Sequence, residues 1–355
     1  MKKFIGKLLI LLVILAVAVL AASGIVGSRL NRRDNSTFEA DLNGVENAVF
    51  APAGDGFAAV SEVLCRLYGR GGETLCSAPR SYPQMQIAGA EGYAAVWSEG
   101  EAGLTILKSG EPTDLSFPGG VTAADMSDGG VAAILAGENG YKGSVSVVRA
   151  DGTALYRVYI GSGYPVDTGI SPDSRRVAIL CLTAGGSSVS IYSTDQEESL
   201  AEVSLPDLAC FDLEYLSDGR ILLVCSDRLV FLKGDGSRAG EYPFEGKFLK
   251  DYSCEGNAYV ILLLGKYRAG SAGSLLILDT EGKLLAEKEL SSEVNGLSAS
   301  EKRFAVCYSD ETVVYDSSLA ELGRLQSTAG IQAAVMRSDG AAIIISGGGA
   351  AIFEP

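Results

Sequence analysis

From residue 44 onward, apolar and polar positions follow one another in a unit that recurs every 36 to 46 residues, roughly. Each unit holds an apolar strand, a turn rich in Asp and Gly, a second strand that is almost wholly apolar, a loop, a third strand closing in another Gly or Asp turn, and a more polar fourth strand. The first turns are Gly54-Asp55-Gly56, Ser127-Asp128-Gly129, Ser217-Asp218-Gly219 and Ser338-Asp339-Gly340, with Ala90-Glu91-Gly92, Ser171-Pro172-Asp173-Ser174, Cys254-Glu255-Gly256 and Ser300-Glu301-Lys302 as variants. Second strands such as Val131-Ala132-Ala133-Ile134 and Ile221-Leu222-Leu223-Val224 carry no polar face. A strand of that kind is covered on both sides, as in sheets stacked against neighbouring sheets.

The second turns, among them Ser109-Gly110, Asp151-Gly152, Asp235-Gly236 and Glu281-Gly282, supply the positive-φ residues that tight hairpins need. Four strands per repeat of this length is the signature of a β-propeller blade. The pattern therefore predicts an all-β fold, a β-propeller of eight four-stranded blades, with seven blades and one irregular hairpin as the alternative. The last unit is one strand short, since Ala350 to Phe353 is its third. Thr37 to Leu42, of suitable length and alternation, is expected to complete it and close the ring.

The first 36 residues have a different character. Lys2, Lys3 and Lys7 precede an uncharged run from Leu8 to Val26, long enough at 1.5 Å per residue to cross the hydrocarbon layer. The expected organisation is a short cytoplasmic basic segment at 1–7, a transmembrane helix or signal anchor at 8–26, a linker at 27–36, and the propeller at 37–355. A cleavable signal peptide ending in Ala21-Ala22-Ser23 is the rival reading. No Cys follows the run, which excludes a lipoprotein anchor. Arg29, Arg32 and Arg33 on the far side nearly balance the three lysines, so orientation rests on the export-like N-terminal pattern and places the propeller on the extracytoplasmic side of the cell membrane.

Charge and composition narrow the function. The whole chain carries −15, but residues 1–33 hold six basic and no acidic side chains, leaving 23 Lys and Arg against 44 Asp and Glu. A domain at −21 is repelled by nucleic acid, which is excluded as a partner. The chain has no His, which removes Ser-His and Cys-His nucleophile pairs and the His-containing zinc sets. The seven cysteines form no C-x-x-C pair. Cys181, Cys210, Cys225, Cys254 and Cys307 read as small hydrophobes in apolar strands, whereas Cys65 and Cys76 flank a Gly-rich turn and form the candidate disulfide.

Ser171-Pro172-Asp173-Ser174-Arg175-Arg176-Val177-Ala178 resembles the S-P-D-G-(K/R) turn of bacterial translocation-protein-like and WD40-like propellers. Anchor and repeats together resemble an uncharacterised family of single-pass bacterial membrane-anchored propellers of unknown function. The resemblance implies architecture and transfers no activity. The Trp-Asp dipeptide of true WD40 repeats is missing, as is the S-x-D-x-G-x-T-W box of sialidase-like propellers. Quinone-dependent propellers are disfavoured by the lack of adjacent cysteines and by a single Trp, Trp97.

No catalytic residue, metal site or cofactor is expected. Gly270-Ser271-Ala272-Gly273 lacks the context of a nucleophile elbow, and Gly240 to Lys247 fails the phosphate-loop spacing. The long loops between second and third strands mark the expected binding face: Tyr141, Lys142, Lys266, Tyr267 and Arg268, with Tyr82 and Tyr164 from the blade connections. The expected function is a non-catalytic binding or scaffold module for an envelope protein or glycan. The alternative is a glycan-acting hydrolase or lyase using carboxylates of the propeller channel, which would come from distant blades and leave no local motif.

Overall fold

The computed structural model describes residues 38, 40–45, 48–80, 83–256, 258–270, 273–327, 330–347 and 349–355. The expected membrane segment at 8–26 and its flanks lie outside them. Among the described residues, no helix is long and apolar enough to cross a membrane.

Eight antiparallel sheets follow one another along the chain, seven of four strands and a last of three. Their first strands, which are also the innermost, are Val49–Ala53, Met85–Ala90, Val121–Met126, Tyr164–Ile170, Cys210–Tyr215, Phe248–Ser253, Gly296–Ser300 and Ile331–Met336. The inner strand of blade 1 lies against that of blade 8, so the ring is closed. The fold is an eight-bladed β-propeller, and the seven-bladed alternative is excluded.

The fully apolar second strands explain the stacking. Ala132 and Ile134 of blade 3 pack on blade 2 residues such as Leu104 and Ile106, while Ala133 and Leu135 of the same strand face Val177 and Ile179 of blade 4. Period-two alternation thus sends successive side chains of one strand into two different seams. The expected second turns hold: Gly152, Gly236 and Gly282 all adopt positive φ, at 88°, 84° and 82°.

The seam between blades 8 and 1 is made differently, because blade 8 has three strands among the described residues, ending in Gly349–Phe353. Phe38 and Val45 are buried there with Phe57 and Tyr68 of blade 1 and Val335 and Ile343 of blade 8. The Tyr68 hydroxyl donates to the Asp41 carbonyl at 2.6 Å. Thr37 and Glu39 lie outside the described residues, and what is described of the expected closing strand is this packed segment. On the turn side, Arg337 of blade 8 donates to the Arg70 carbonyl at 3.1 Å and to Asp339 Oδ2 at 2.5 Å. Arg70 in turn reaches Asp339 at 3.0 Å and Asp55 at 3.4 Å.

Two cysteine expectations are corrected. Cys65 and Cys76 are buried and free. The register sets Cys65 opposite Ala78 and Cys76 opposite Leu67, two residues out of step, so the symmetric turn does not bring the thiols face to face. Burial pushes the Cys65 thiol up to about 12. Instead Cys210 and Cys225, read from sequence as simple hydrophobes, are direct cross-strand partners in blade 5 and are joined by a disulfide, Cα to Cα 3.8 Å.

Arg337 is buried and Arg70 is two-thirds exposed, 3% against 66% side-chain exposure, although both serve the closing seam. Arg337→Ala should therefore cost about 2 kcal/mol by stranding the Arg70 carbonyl and Asp339. Arg70→Ala should cost less than about 1 kcal/mol, as exposed ion pairs do. Urea unfolding of both variants checks the order.

Candidate functional site

Up-and-down strands put the first and second turns of every blade on one side of the disc. The loops between second and third strands, and the connections between blades, lie on the other. The sequence-predicted binding residues belong to that second side, where the structure divides them into two patches. On blades 3 and 4, the Tyr141 ring sits 4.9 Å from that of Tyr159, and Lys142 Nζ lies 4.5 Å over the Tyr164 ring. The three tyrosines are half or more exposed. On blade 6, Lys266 Nζ is 5.6 Å from the Tyr267 ring and Arg268 is 5.5 Å from the ring of Phe248. Arg268 and Phe248 border a groove of about 550 Å³ with Phe244 and Lys247. Tyr82 lies outside the described residues.

The second feature is the central cavity, about 640 Å³, which opens among the first turns at Glu91, Asp128, Glu255 and Glu301. Among the described residues its lining includes no Lys or Arg. Asp125, Asp167, Asp212 and Glu214 project from the inner strands of blades 3, 4 and 5. Asp125 accepts the N–H of Met126 at 2.7 Å and that of Ile170, in the next blade, at 2.8 Å. Asp167 does the same with Thr168 at 2.8 Å and Leu213 of blade 5 at 2.7 Å. Asp251 accepts from Tyr252 at 2.9 Å and from Leu297 of blade 7. Ser253 and Ser298 repeat the stitch with Ala299 at 3.0 Å and Met336 at 2.9 Å.

Asp125, Asp167, Glu214 and Asp251 are hard to ionise. Burial pushes Asp125 and Asp251 up to about 6, against the pull of their backbone N–H donors. Asp167 is raised well above the usual carboxylate range by burial and then by neighbouring Asp212. Glu214 is raised likewise, by burial first and then by the charges of Asp125, Asp212 and Asp167. Burial dominates the same upward direction at Tyr252.

A model of DUF5711, a family of unknown function, matches residues 35–345. The chain belongs to that family. No curated protein matches the DUF5711 sequence significantly. Among solved structures it is similar to the C-terminal WD40 domain of Sif2, 13% identical with TM-score 0.59, over 86% of this chain and 97% of that one. It is also similar to apo AztD from Citrobacter koseri, 12% identical, TM-score 0.57, over 79% and 86% of the two chains. BamB from Moraxella catarrhalis is 14% identical, TM-score 0.53, over 86% and 95%. At these identities the likeness shows the propeller fold alone.

Sequence reasoning found the aromatic loops but missed Tyr159, which sits in the outer strand Ala154–Ile160, and it missed the inner-strand carboxylates of this DUF5711 propeller. A signal was present: an Asp interrupts the first strand of blades 3, 4, 5 and 6, at Asp125, Asp167, Asp212 and Asp251. Turn and solubility roles had absorbed the acidic residues, so those four were not separated from the rest.

A carboxyl raised in the native state holds its proton where the unfolded chain has lost it. Its stabilising contribution is full below the ordinary carboxylate pKa of about 4 and fades as pH rises through its folded value. Thermal unfolding should therefore occur at a higher temperature at about pH 5 than at about pH 8, the loss passing through the region near 6 set by Asp125 and Asp251. The lowered carboxylates Asp114 and Asp173 act in the opposite sense only at more acidic pH. Calorimetry across that range checks the sign.

Proposed function

We propose that this propeller is a non-catalytic binding or scaffold module, anchored by its N-terminal helix and displayed on the extracytoplasmic side of the membrane for an envelope protein or glycan. The observation that carries the reading is the cluster of Tyr141, Tyr159 and Tyr164 with Lys142, exposed together on the loop side of blades 3 and 4. Tyrosines combine large apolar area, few rotatable bonds and a polar tip, and they are enriched where binding energy concentrates. A cationic, aromatic spot on a domain this acidic is a place where a partner meets attraction in place of repulsion.

Absence of His supports a binding role over nucleophilic chemistry. The extracytoplasmic placement is supported by the basic, then apolar, N-terminal pattern. The Cys210–Cys225 disulfide supports it too, since such bonds persist in oxidising compartments.

One observation favours the second reading, a glycan-acting hydrolase or lyase. Asp212 and Glu214 enter a cavity of about 640 Å³ without the paired backbone N–H donors that occupy Asp125 and Asp167. A carboxyl kept protonated near neutral pH is suited to general-acid work. Purified full-length protein should then turn over a cell-wall glycan and lose that activity in Glu214→Gln.

For the binding reading, intact cells are treated with a membrane-impermeant amine cross-linker and the attached species identified by mass spectrometry. A defined envelope partner is expected. Tyr141→Ala with Tyr164→Ala should lower its capture by about tenfold or more without changing the unfolding temperature, as loss of two interface aromatics does. Equal capture would move attention to Tyr267 and Arg268, where the double alanine variant is the next test. Lysines that take up no reagent at all would place the propeller inside the cell.

A further inference from the structure

Round the ring, the inner strands of neighbouring blades lie against one another, but those of blades 5 and 6 approach each other at the fewest points. Asp212 and Glu214 face this gap. They are two residues apart on one strand and so share a side, while Leu213 and Tyr215 point the other way, into the core shared with blade 4. Across the gap, the Tyr252 hydroxyl donates to Asp212 Oδ2 at 2.5 Å. Asp212 also neighbours the carboxyl of Asp167 and opposes its ionisation, while the Asp167 oxygens already accept the N–H groups of Thr168 and Leu213. Two neighbouring carboxyl groups resist ionising together, because each negative charge raises the cost of the other. Glu214 has no comparable support, and the carboxylates of Asp125, Asp212, Asp167 and Glu255 all oppose its ionisation.

Among the described residues, the groups lining this site include no cation. Blade 3 presents Asp125 and Asp128, blade 4 presents Asp167, blade 6 presents Tyr252, Cys254 and Glu255 with Asp251 beside them, and the blade 7 turn adds Glu301. Of the basic residues on the adjoining strands, Lys250 donates to the Arg268 carbonyl at 2.5 Å, and Arg176 acts on Tyr215, on the blade 4 side.

We propose that Asp167 and Glu214, together with Asp212 and Tyr252, form a proton-loaded latch: with the protons of Asp167 and Glu214 bound it closes the seam between blades 5 and 6, and with them gone the carboxylates repel one another, loosen that seam and widen the cavity there. The protons leave to solvent through the cavity, and the rest of the ring stays shut. The inner amides of Ile170, Leu297 and Ala299 remain fixed by the bonds they donate across the other seams to Asp125, Asp251 and Ser253.

The test is amide hydrogen exchange of the full-length protein in detergent at about pH 5.5 and about pH 8, corrected for intrinsic exchange rates. Protection of Cys210–Tyr215 and Phe248–Ser253 should fall by roughly tenfold or more at the higher pH, a factor that corresponds to one unit of pKa displacement. Protection of the blade 1 and blade 2 inner strands should stay constant. Asp212→Asn keeps an acceptor for Tyr252 and removes the charge beside Asp167. Glu214→Gln removes a charge with no backbone bond to lose. Each variant should restore protection at pH 8. Infrared spectroscopy supplies a readout independent of stability: a protonated carboxyl C=O band should persist at neutral pH and weaken in Glu214→Gln. The latch is overturned if protection of the two strands does not depend on pH, if all seams loosen alike, or if no protonated carboxyl survives to pH 7.

Discussion

A blade of this propeller has two apolar faces, and the structure depends on covering both. Ile134 serves the seam with blade 2 and Leu135 the seam with blade 4, although they are neighbours on one strand. A fully buried aliphatic side chain of that size contributes about 1.5–3 kcal/mol, and an isolated sheet would forfeit that on both faces. No blade is a stable object by itself, and the ring must close. Seven seams are formed between consecutive repeats. The eighth joins the two ends of the domain, and there the repeat pattern is supplemented by particular residues: Phe38 and Val45 in the apolar layer, Arg337 and Arg70 at the turns.

Apolar packing fixes how blades stack but not how they are aligned around the axis, and the inner strands supply that alignment with polar bonds. A carboxylate with two oxygens can accept one N–H from its own strand and one from the next blade, as Asp125 and Asp167 do. Ser253 and Ser298 show that a hydroxyl suffices for the bond to the neighbour. Choosing carboxylates where hydroxyls would serve concentrates like charge in one cavity. The cost appears as the upward displacement of Asp125 and Asp251 to about 6.

The fold was legible because its causes are local. Turn chemistry at Asp151-Gly152 and uninterrupted apolar strands such as Ile221–Cys225 each mark a hairpin or a doubly covered sheet, and their recurrence counts the blades. The aromatic loop cluster was partly legible: Tyr141 and Lys142 lie in a loop long enough to notice and Tyr164 opens the strand that follows a blade connection, whereas Tyr159 comes from an edge strand and joins them only across a hairpin. The cavity was not legible. Asp125 and Ile170 are 45 residues apart, and Tyr252 lies 40 residues from Asp212. The disulfide shows the same limit: the cysteine pair closest in sequence is out of register, and the pair that bonds is joined by a hairpin 15 residues long.

Whether the cavity or the tyrosine face carries the function turns on which polar groups are already occupied. Asp125, Asp167 and Asp251 accept backbone N–H groups from two blades each, and a group so bound cannot change partners without opening the ring. That leaves Asp212, which accepts from Tyr252, and Glu214, with no backbone donor among the described residues, at the seam where the inner strands approach at the fewest points. In the proposed latch Glu214 responds to pH without contact with anything outside the molecule. The tyrosine cluster is the reverse case: its rings contribute little to any seam, remain half or more exposed, and lie on the side away from the acidic mouth. Exposed apolar area that the fold does not use is the kind of surface a partner covers, and that is why the proposed recognition is placed on the loop face and the proposed proton response in the channel.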